Sequence, residues 1–536
     1  MALPAHGDPG AAGGPRGRLL AAGAVDAQRA DRSAARRGSA GIARRSRRRR
    51  RPGRRRCARI RRARAAVHGP AAIAATGGRT RGQRAGSGHG GGARGAGRPG
   101  RLEPGADRRG AGRALPHRPR FRPCAGGGGA LSSPACGGEP VSPDPRGTGL
   151  FIAGVRGAVA TTVVHGLEGL RAGTPPVGLV TASPPFAHLP WEPAAGLHVC
   201  GWDVAGNLHR SAEELGRTHV IPEDLVELCA ELRDRIELGL APGIPDPEDV
   251  AAVDPGARAR LELAPRAAVE ALREDIRGWK RALGLQRGVV IYLASVERQR
   301  GLPAGWDDAN GDPLALLERA PRELSRSLLY GAAAVAEGCP FINFTPAPGP
   351  AVAALAGMAR RAGVPVLGND GKTGETLVKT VLAPLFRDRA LNVLAWEGYN
   401  MLGNRDGAAL SDPERRAAKI QNKDRVLASI LGNARAHTHV GIDFVPSLHD
   451  WKTAWDFIHF EGFLGARMSL QFTWHGSDSA LAAPLVIDLS RIALRAQDRG
   501  EGGLLPAAAP FFKNPVGVTE HDFHRQMDMF RRWCAR

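Results

Sequence analysis

The sequence predicts an α/β protein with a parallel sheet, preceded by a long segment that lacks a core. From residue 149 onward, short apolar runs alternate with stretches of helical length, a pattern typical of parallel sheets. Before that point the chain is rich in Arg, Gly, Ala and Pro and has one aromatic residue, Phe121. No apolar run approaches the roughly 20 residues that a membrane-spanning helix needs.

The first 147 residues are predicted to form a disordered leader. Residues 1–148 contain 33 Arg, no Lys and seven acidic residues, a formal net charge of +26, whereas the rest of the chain has a net charge of −3. So few apolar side chains cannot offset the entropy of ordering the chain. The arginine run at residues 44–56 could bind nucleic acid or anionic lipid, or do nothing specific. Alternatively, the start codon is assigned too far upstream, because unselected GC-rich DNA would give such a composition.

The predicted elements of the remaining chain follow one another as strand, turn and helix. A buried strand is predicted at residues 149–154, a helix at 158–170 and a second strand at 176–180. Further strands are predicted at residues 289–294, 340–344 and 364–368, and further helices at residues 324–336 and 351–362. Strands that alternate with helices of this length indicate a parallel sheet.

The turn after the first strand resembles a dinucleotide-binding turn. Its sequence, GVRGAVATT at residues 154–162, would let a glycine turn aim a helix N-terminus at a pyrophosphate. Arg156 and Val159 occupy the second and third glycine positions of the usual pattern, so an ordinary strand-to-helix turn explains the segment about as well. The Arg156 guanidinium could itself pair with a phosphate and compensate for the missing glycine.

A second glycine-rich loop, GNDGKTGET at residues 368–376, also enters a helix. A P-loop would require glycine at position 366, where the chain has Val366, so a nucleoside-triphosphate site is disfavoured. The glycines, hydroxyls and Lys372 still suit an anionic group. Lys379, four residues after Glu375, is predicted to form an exposed ion pair with it on the helix surface.

Lysine is scarce, because only seven of the 75 basic residues are lysines and none lies in the first half of the chain. Unlike arginine, a buried lysine can lose its proton, so the remaining lysines are candidates for chemistry. Lys419 and Lys423 share one face of a helix that is predicted to start at Ser411. Repulsion between them would lower their pKa values and suit proton transfer or a dianion, although a solvated helix face is the simpler explanation.

The seven cysteines form no CxxC pair and have no regular spacing. This argues against a disulfide framework or a zinc site and fits a reducing cytoplasm. No apolar segment follows the arginines of the leader, so a secretory signal is not predicted. We therefore expect a cytoplasmic protein without a metal site, without membrane attachment, and with nucleic-acid binding only through the basic leader.

Residues 149–517 resemble the myo-inositol-1-phosphate synthase family. No single segment is decisive, but their order along about 370 residues is specific. The matching segments, in chain order, are GVRGAVATT at 154–162, CGWDV at 200–204, ASVER at 294–298, NFTP at 343–346, DGKTGET at 370–376, YNMLGNRDG at 399–407, the KxxxK of Lys419 and Lys423, HDWK at 449–452, DSALAAP at 478–484 and FKNP at 512–515.

The resemblance implies an enzyme that converts D-glucose 6-phosphate to 1D-myo-inositol 3-phosphate with NAD that is regenerated in each turnover. The implied steps are oxidation at C5, enolisation at C6, ring closure onto C1 and reduction at C5. The implied fold is a Rossmann domain at residues 148–367 and 476–536, interrupted by a smaller α+β catalytic and oligomerisation domain at residues 368–475. A homotetramer is implied as well.

The resemblance also implies roles for individual residues. Ammonium groups would stabilise developing oxyanions and shuttle protons. The implied catalytic residues are Lys372, Lys419, Lys423, Lys513 and Asp450. The implied cofactor-binding residues are Gly154, Arg156, Gly157, Ala160, Thr161, Asp203, Ser295, Asp370 and Asp450. The implied substrate-binding residues are Asn343, Thr345, Lys372, Asn400, Asn404, Lys423 and Lys452.

The sequence departs from the family in two of these segments. The cofactor turn lacks the family's paired asparagines and two of its glycines, and Leu377 stands where the family has a lysine. These changes leave open an NAD-dependent Rossmann enzyme acting on another sugar phosphate, or a paralogue that binds sugar phosphate without catalysis. A protein whose working part is the arginine leader is a further alternative.

Overall fold

The computed structural model describes residues 147–248, 253–298, 300–404, 427, 429–432 and 436–536. The leader up to residue 146 lies outside the described residues. The helix predicted to start at Ser411, with Lys419 and Lys423, lies outside them too.

Seven parallel strands form the larger sheet, in the order β11-β6-β5-β4-β1-β2-β3. From β3 to β6 this is the 3-2-1-4-5-6 order of doubly wound dinucleotide-binding sheets. The strands are β1 (Thr148–Ala153), β2 (Leu197–Asp203), β3 (Ala241–Pro242), β4 (Arg287–Tyr292), β5 (Phe341–Asn343), β6 (Pro365–Leu367) and β11 (Gly503–Leu504).

Both faces of the larger sheet are covered by helices, which explains why its strands are apolar throughout. All six residues of β1 are buried. Leu150 and Ile152 belong to one core cluster and Phe151 and Ala153 to another, so successive side chains enter opposite layers. The helices of the described residues, in these layers and elsewhere in the molecule, are α1 (Ala158–Arg171), α2 (Leu208–Arg217), α3 (Glu223–Leu228), α4 (Ala230–Gly239), α5 (Pro255–Leu261), α6 (Pro265–Leu283), α7 (Pro313–Leu316), α8 (Arg326–Ala336), α9 (Ala353–Arg361), α10 (Gly374–Asp388), α11 (Asp478–Asp498) and α12 (Phe523–Cys534).

The strand predicted at residues 176–180 is wrong. This segment is a turn that leads into a short 3-10 helix, Val180–Ala182, and the second strand of the sheet is β2. Pro176 has no N–H group to donate to a ladder, and Gly178 has φ +90°. The N–H groups of Val180 and Thr181 instead donate to the Asp488 carboxylate of α11, at 2.7 and 3.0 Å.

A second, mixed sheet of four strands has the order β10-β9-β7-β8. Strand β7 is parallel to β8 and antiparallel to β9, which is antiparallel to β10. One face packs on α10, where Phe386 contacts Trp396 of β7 and Phe460 of β9. The strands are β7 (Asn392–Leu402), β8 (His437–Phe444), β9 (Trp451–Glu461) and β10 (Arg467–Ser477).

The prediction of an exposed Lys379–Glu375 pair is wrong in its exposure. The Lys379 side chain is 2% exposed, and its Nζ atom lies 2.5 Å from Glu375 and 3.2 Å from Asp456 of β9. Helix α10 turns this face toward the second sheet, so the spacing that produces the pair also buries it. The two carboxylates outweigh burial and raise the pKa of Lys379.

The predicted fold class is confirmed: the molecule is α/β, with a doubly wound parallel sheet of the Rossmann type and a smaller mixed sheet. The proposed domain boundaries at residues 368 and 475 stay a prediction. None of the helices in the described ranges is long and apolar enough to cross a membrane.

Gly357 of α9 is the glycine whose replacement should cost most in the fold. A methyl group there would overlap the carbonyl oxygen of Ala309, which belongs to the backbone and cannot rotate away. We expect Gly357→Ala to lower the free energy of unfolding by about 1–3 kcal/mol, as measured by urea titration.

Gly166 of α1 provides the matched control, because a methyl group there meets no atom within 4 Å. Gly166→Ala should stabilise the protein by about 0.5–1 kcal/mol, since alanine loses less backbone entropy in a helix. Equal effects of the two substitutions would contradict the packing described for α9.

Candidate functional site

A large cavity opens where the chain changes direction in the parallel sheet. Strands β1 and β4 are neighbours, and the connections that follow them lead to opposite halves of the sheet. Ligands of doubly wound sheets bind outside the carboxyl ends of such strands. A cavity of about 290 Å³ lies there, lined by residues after β1, β2, β4 and β5 and by residues of the second sheet and α11.

The glycine turn forms one wall of this cavity. Gly154 has φ +92°, and its N–H donates to the Trp202 carbonyl at 2.8 Å. A Cβ atom at Gly154 would lie 3.0 Å from the Leu293 carbonyl oxygen, so this position requires glycine. Gly157 precedes α1 without a side-chain cap, so the first N–H groups of the helix are available to an anion. The buried Thr161 hydroxyl donates back to the Gly157 carbonyl at 2.9 Å.

The Arg156 side chain is engaged away from the cavity lining. Its guanidinium lies 2.7 Å from Glu237 and 2.8 Å from Asp254. The backbone N–H of Arg156 donates to Asp203 at the end of β2, at 2.7 Å. Burial raises the pKa of Asp203, and the N–H donors partly oppose that effect. The turn therefore fixes the Asp203 carboxylate, whereas the arginine side chain braces the loop.

Two loops that are far apart in the sequence are joined by backbone hydrogen bonds next to the cavity. Asn369 and Asn514 exchange backbone hydrogen bonds, and the Lys513 N–H donates to the Asp370 carbonyl at 2.7 Å. The Lys372 N–H donates to the Phe511 carbonyl at 2.8 Å. This ladder holds residues 368–372 against residues 511–516.

The ladder brings together two side chains that the sequence separates by 143 positions. The Lys513 ammonium lies 2.8 Å from the Asp370 carboxylate, and both residues line the cavity. Asp370 has φ +62°, and its N–H donates to the Thr345 carbonyl at 2.9 Å. A fixed ammonium at this position can stabilise negative charge that develops on a bound oxygen.

Lys372 is buried beside the cavity and is not one of its lining residues. Its Nζ atom is 2.5 Å from the Gln526 amide oxygen of α12 and 5.8 Å from the centre of the Phe523 ring. Burial lowers the pKa of Lys372 to about 7. A lysine in this state can both give and accept a proton near neutral pH.

Asn343 shapes the loop that follows β5. Its amide oxygen accepts from the Thr345 N–H and hydroxyl, at 3.1 and 2.8 Å. Its amide nitrogen donates to the Ala347 carbonyl at 2.6 Å and to Asn369 at 3.1 Å. Asn343 therefore supports Thr345, which lines the cavity, rather than lining it itself.

Asp450 connects the second sheet to α11. Its carboxylate accepts from the hydroxyls of Ser477 and Ser479, at 2.5 and 2.6 Å. Burial raises its pKa, and these hydrogen bonds partly offset the effect. Lys452, two residues further, has its Nζ atom 4.0 Å from Asp478 at the start of α11. Asp450, Lys452 and Asp478 all line the cavity.

Asn400 of β7 is buried, and both polar atoms of its amide have no hydrogen-bond partner among the described residues. Leaving a buried donor or acceptor unpaired costs about 1–3 kcal/mol. Such an amide is suited to a ligand that supplies the missing partners.

The structure brings most of the predicted site residues together. Those that line the cavity are Gly154, Gly157, Ala160, Asp203, Ser295, Thr345, Asp370, Asn404, Asp450, Lys452 and Lys513. Those described but not lining it are Arg156, Thr161, Asn343, Lys372 and Asn400. Lys419 and Lys423 lie outside the described residues.

Sequence reasoning missed several residues of the cavity wall. Asp478 and Ser479 lie in the DSALAAP segment, whose position at a helix start could have identified them. His449 precedes Asp450 in the HDWK segment and could have been noticed in the same way. No sequence pattern identifies Glu214 of α2, because its presence in the cavity wall depends on how α2 packs.

These features define a doubly wound α/β protein with a large cavity that lies at a dinucleotide-type switch point and includes an acid–lysine pair. A family model described as myo-inositol-1-phosphate synthase matches residues 374–479. The inositol-3-phosphate synthase 1 of Bacteroides thetaiotaomicron is 31% identical over 424 residues, which cover 74% of this chain and 95% of that protein. The inositol-3-phosphate synthase 1 of Oryza sativa is 32% identical over 319 residues, which cover 56% of this chain and 61%, less than two thirds, of that protein.

Two solved structures share the fold. Inositol-3-phosphate synthase from Caenorhabditis elegans superimposes with a TM-score of 0.63 at 24% identity, covering 73% of this chain and 86% of that one. A myo-inositol-1-phosphate synthase-related protein from Thermotoga maritima gives a TM-score of 0.59 at 22% identity, covering 73% and 98%. The chain belongs to the myo-inositol-1-phosphate synthase family, which confirms the resemblance and the prediction of an isomerase-class enzyme.

The Lys372–Gln526 contact predicts a specific dependence of stability on pH. Lys372 has a pKa of about 7 in the folded protein, below its ordinary 10.5. Between these pH values the unfolded chain binds more protons, so the contribution of Lys372 to the free energy of unfolding rises with pH. Gln526→Glu should place a carboxylate beside the ammonium, raise the pKa of Lys372 and abolish this rise.

Urea unfolding at pH 7, 8 and 9 gives the free energy of unfolding of the wild type and of the variant. The change with pH is then compared between the two proteins. Gln497→Glu is the control, because Gln497 is a partly exposed residue of α11 whose amide donates to the Gly338 carbonyl. The control should keep the wild-type pH dependence. If Gln526→Glu also kept it, the amide would not govern the proton on Lys372.

Proposed function

We propose that the protein converts D-glucose 6-phosphate to 1D-myo-inositol 3-phosphate with NAD as a cofactor that is regenerated in each turnover. The observation that carries this proposal is the cavity at the switch point, where the glycine turn, Asp203 and the Asp370–Lys513 pair share one space. Cofactor and substrate chemistry would then meet where β1 and β4 end. Membership of the family supports the same reaction.

The cavity has the features that NAD requires. Gly154 allows close approach of a pyrophosphate, and the uncapped start of α1 offers backbone N–H donors to it. Asp203 at the end of β2 is the type of residue that binds the ribose hydroxyls of NAD. Bound NAD would supply reversible hydride transfer at C5 of the substrate. The chain's own residues would orient the ring and exclude water.

Lys513 is proposed to stabilise the oxyanion that forms at C1 during ring closure. Asp370 holds its ammonium at 2.8 Å, so no reorganisation is needed when negative charge develops. Asp450 is proposed to orient the cofactor, through a carboxylate that Ser477 and Ser479 fix.

Lys372 is proposed to contact the C5 oxygen and to transfer its proton. A pKa of about 7 provides both protonation states near neutral pH. Its ammonium would exchange the Gln526 oxygen for the substrate oxygen, since Gly371 and Thr373 on either side line the cavity.

The remaining proposed substrate contacts are polar. The unpaired amide of Asn400 would hydrogen-bond sugar hydroxyls, and Asn404, Thr345 and Lys452 would complete the wall. Lys419 and Lys423 are proposed to bind the phosphate and the enolate, as the family pattern implies. A cytoplasmic location stays a prediction.

Incubation of the purified protein with glucose 6-phosphate and NAD tests the reaction. We expect inositol phosphate without net NADH, because the hydride that leaves C5 returns to it. Lys513→Met should lower turnover by about 100- to 1,000-fold, the usual cost of removing an oxyanion donor. Inositol phosphate is measured by ³¹P NMR and NADH by absorbance.

Lys280→Met is the matched control, since Lys280 lies on α6 and donates to the Glu337 carbonyl, away from the cavity. It should keep wild-type turnover. Net NADH would indicate a dehydrogenase acting on a sugar phosphate, and binding without turnover would indicate a non-catalytic paralogue; either outcome rejects the proposed reaction.

We further propose a homotetramer that uses the outer face of the second sheet. Tyr399, Trp455, Phe457 and His459 form a row of aromatic rings there, with centroids 6.0–6.3 Å apart. Tyr399 is 40% exposed and Trp455 is 37% exposed, which is unusual for large apolar residues in the middle of strands. A second copy of the chain would bury this row.

Trp455→Lys should reduce the mass of the assembly, because a charge in the centre of an apolar contact is costly to bury. Light scattering after size-exclusion chromatography measures that mass. Phe463→Lys is the control, since Phe463 is 88% exposed in the turn between β9 and β10. An unchanged mass for Trp455→Lys would reject this face as the interface.

A further inference from the structure

His449 has a backbone conformation that is unfavourable for a histidine. Its φ is +52° and its ψ is −123°, directly after the short 3-10 helix Pro446–Leu448. Residues other than glycine adopt such conformations only where the surrounding structure enforces them, and the strain clusters at functional sites. The neighbouring Asp450 is anchored by Ser477 and Ser479, so the backbone on one side of His449 is fixed.

His449 lines the cavity together with Glu214 of α2. Its Nδ1 atom is 3.7 Å from the Glu214 carboxylate, and the two side chains are 47% and 46% exposed. The ring is therefore neither packed in a core nor free in solvent. Because Nδ1 is the ring nitrogen nearer to Glu214, Nε2 lies on the other side of the ring.

Helix α2 locates His449 relative to the glycine turn. The Ser211 hydroxyl donates to the Arg156 carbonyl within the turn, at 2.7 Å. Glu214 lies one helical turn further along α2. The adjacent Leu215 belongs to the core cluster against which Ala158, the first residue of α1, packs. His449 lies near Glu214, and both residues line the same cavity as Gly157 and Ala158 at the start of α1.

An anion at the start of α1 would find few side-chain donors on the turn itself. The Arg156 guanidinium is engaged by Glu237 and Asp254, and α1 has no side-chain cap. We propose that His449 donates a hydrogen bond to the pyrophosphate of a dinucleotide cofactor, from the side of the cavity that α2 forms. This inference rests on the proposed use of NAD. It adds a side-chain hydrogen-bond donor to the pyrophosphate site, which the glycine turn does not provide.

The backbone strain allows this role to be tested separately from a structural one. A glycine would adopt φ +52° without cost, so histidine at this position is unfavourable for folding. Charged groups that also line this wall are Glu214, Asp450, Lys452 and Asp478, and the latter two lie 4.0 Å from each other.

Binding of NAD, ADP-ribose and adenosine to the full-length protein tests the inference, measured by isothermal titration calorimetry. His449→Gly should weaken NAD and ADP-ribose by about tenfold, the loss of one charge-assisted hydrogen bond, and should leave adenosine unchanged. Its melting temperature should equal or exceed that of the wild type, because the strain is relieved. His449→Asn should weaken binding similarly, since asparagine tolerates positive φ but lacks the imidazole.

His219→Gly is the matched control. His219 follows the end of helix α2 and has φ +58°. It is exposed and does not line the cavity. This variant should gain stability and bind NAD like the wild type.

The outcomes separate this inference from the proposed function. Wild-type protein that binds no dinucleotide overturns both. If the wild type binds NAD and both His449 variants bind it equally well, only the inference fails. Equal weakening of adenosine would overturn it too, because the imidazole would then contact the base or ribose.

Discussion

The backbone ladder between residues 368–372 and 511–516 is the contact on which the rest of the site depends. It aligns Asp370 with Lys513 and places Lys372 against α12, although these segments are far apart in the chain. Because these hydrogen bonds are made by the backbone, they hold the loop whatever the side chains do. The side chains are then free to differ in charge and exposure, as a catalytic site requires.

Two buried lysines show how the partner, rather than burial, decides the charge. Lys372 and Lys379 are both 2% exposed. Gln526 offers Lys372 a neutral oxygen, and its pKa falls to about 7. Glu375 and Asp456 offer Lys379 two carboxylates, and its pKa rises. Burial alone would lower the pKa of both lysines. Lys372 is therefore suited to proton transfer, whereas Lys379, held charged by its carboxylates, is suited to holding α10 on the second sheet.

The sequence predicts the strand–helix alternation because both sheet faces are covered, which makes strands such as β1 continuously apolar. It also predicts the glycine turn, because the backbone at Gly154 has φ +92°, a conformation that residues other than glycine rarely adopt. The prediction for Lys379 is wrong in its exposure, because an i,i+4 spacing is equally compatible with an exposed ion pair and a buried one. The sequence also fails at Glu214 and at the acid partners of Arg156, because those contacts depend on how distant helices pack. Local patterns determine elements, whereas charge environments come from tertiary contacts.

The charges of the cavity wall restrict where a sugar phosphate can bind. Among the described lining residues five are acids, namely Asp203, Glu214, Asp370, Asp450 and Asp478, and two are lysines, Lys452 and Lys513. Lys513 is already paired with Asp370 and Lys452 lies near Asp478, so this wall has a net negative formal charge and does not attract a phosphate dianion. The positive charge has to come from elsewhere in the chain, and Lys419 and Lys423 are the candidates that the sequence provides. The described wall then suits the uncharged sugar hydroxyls. The backbone N–H groups at the start of α1 are proposed to hold the cofactor's pyrophosphate, and the substrate phosphate is proposed to bind to those lysines.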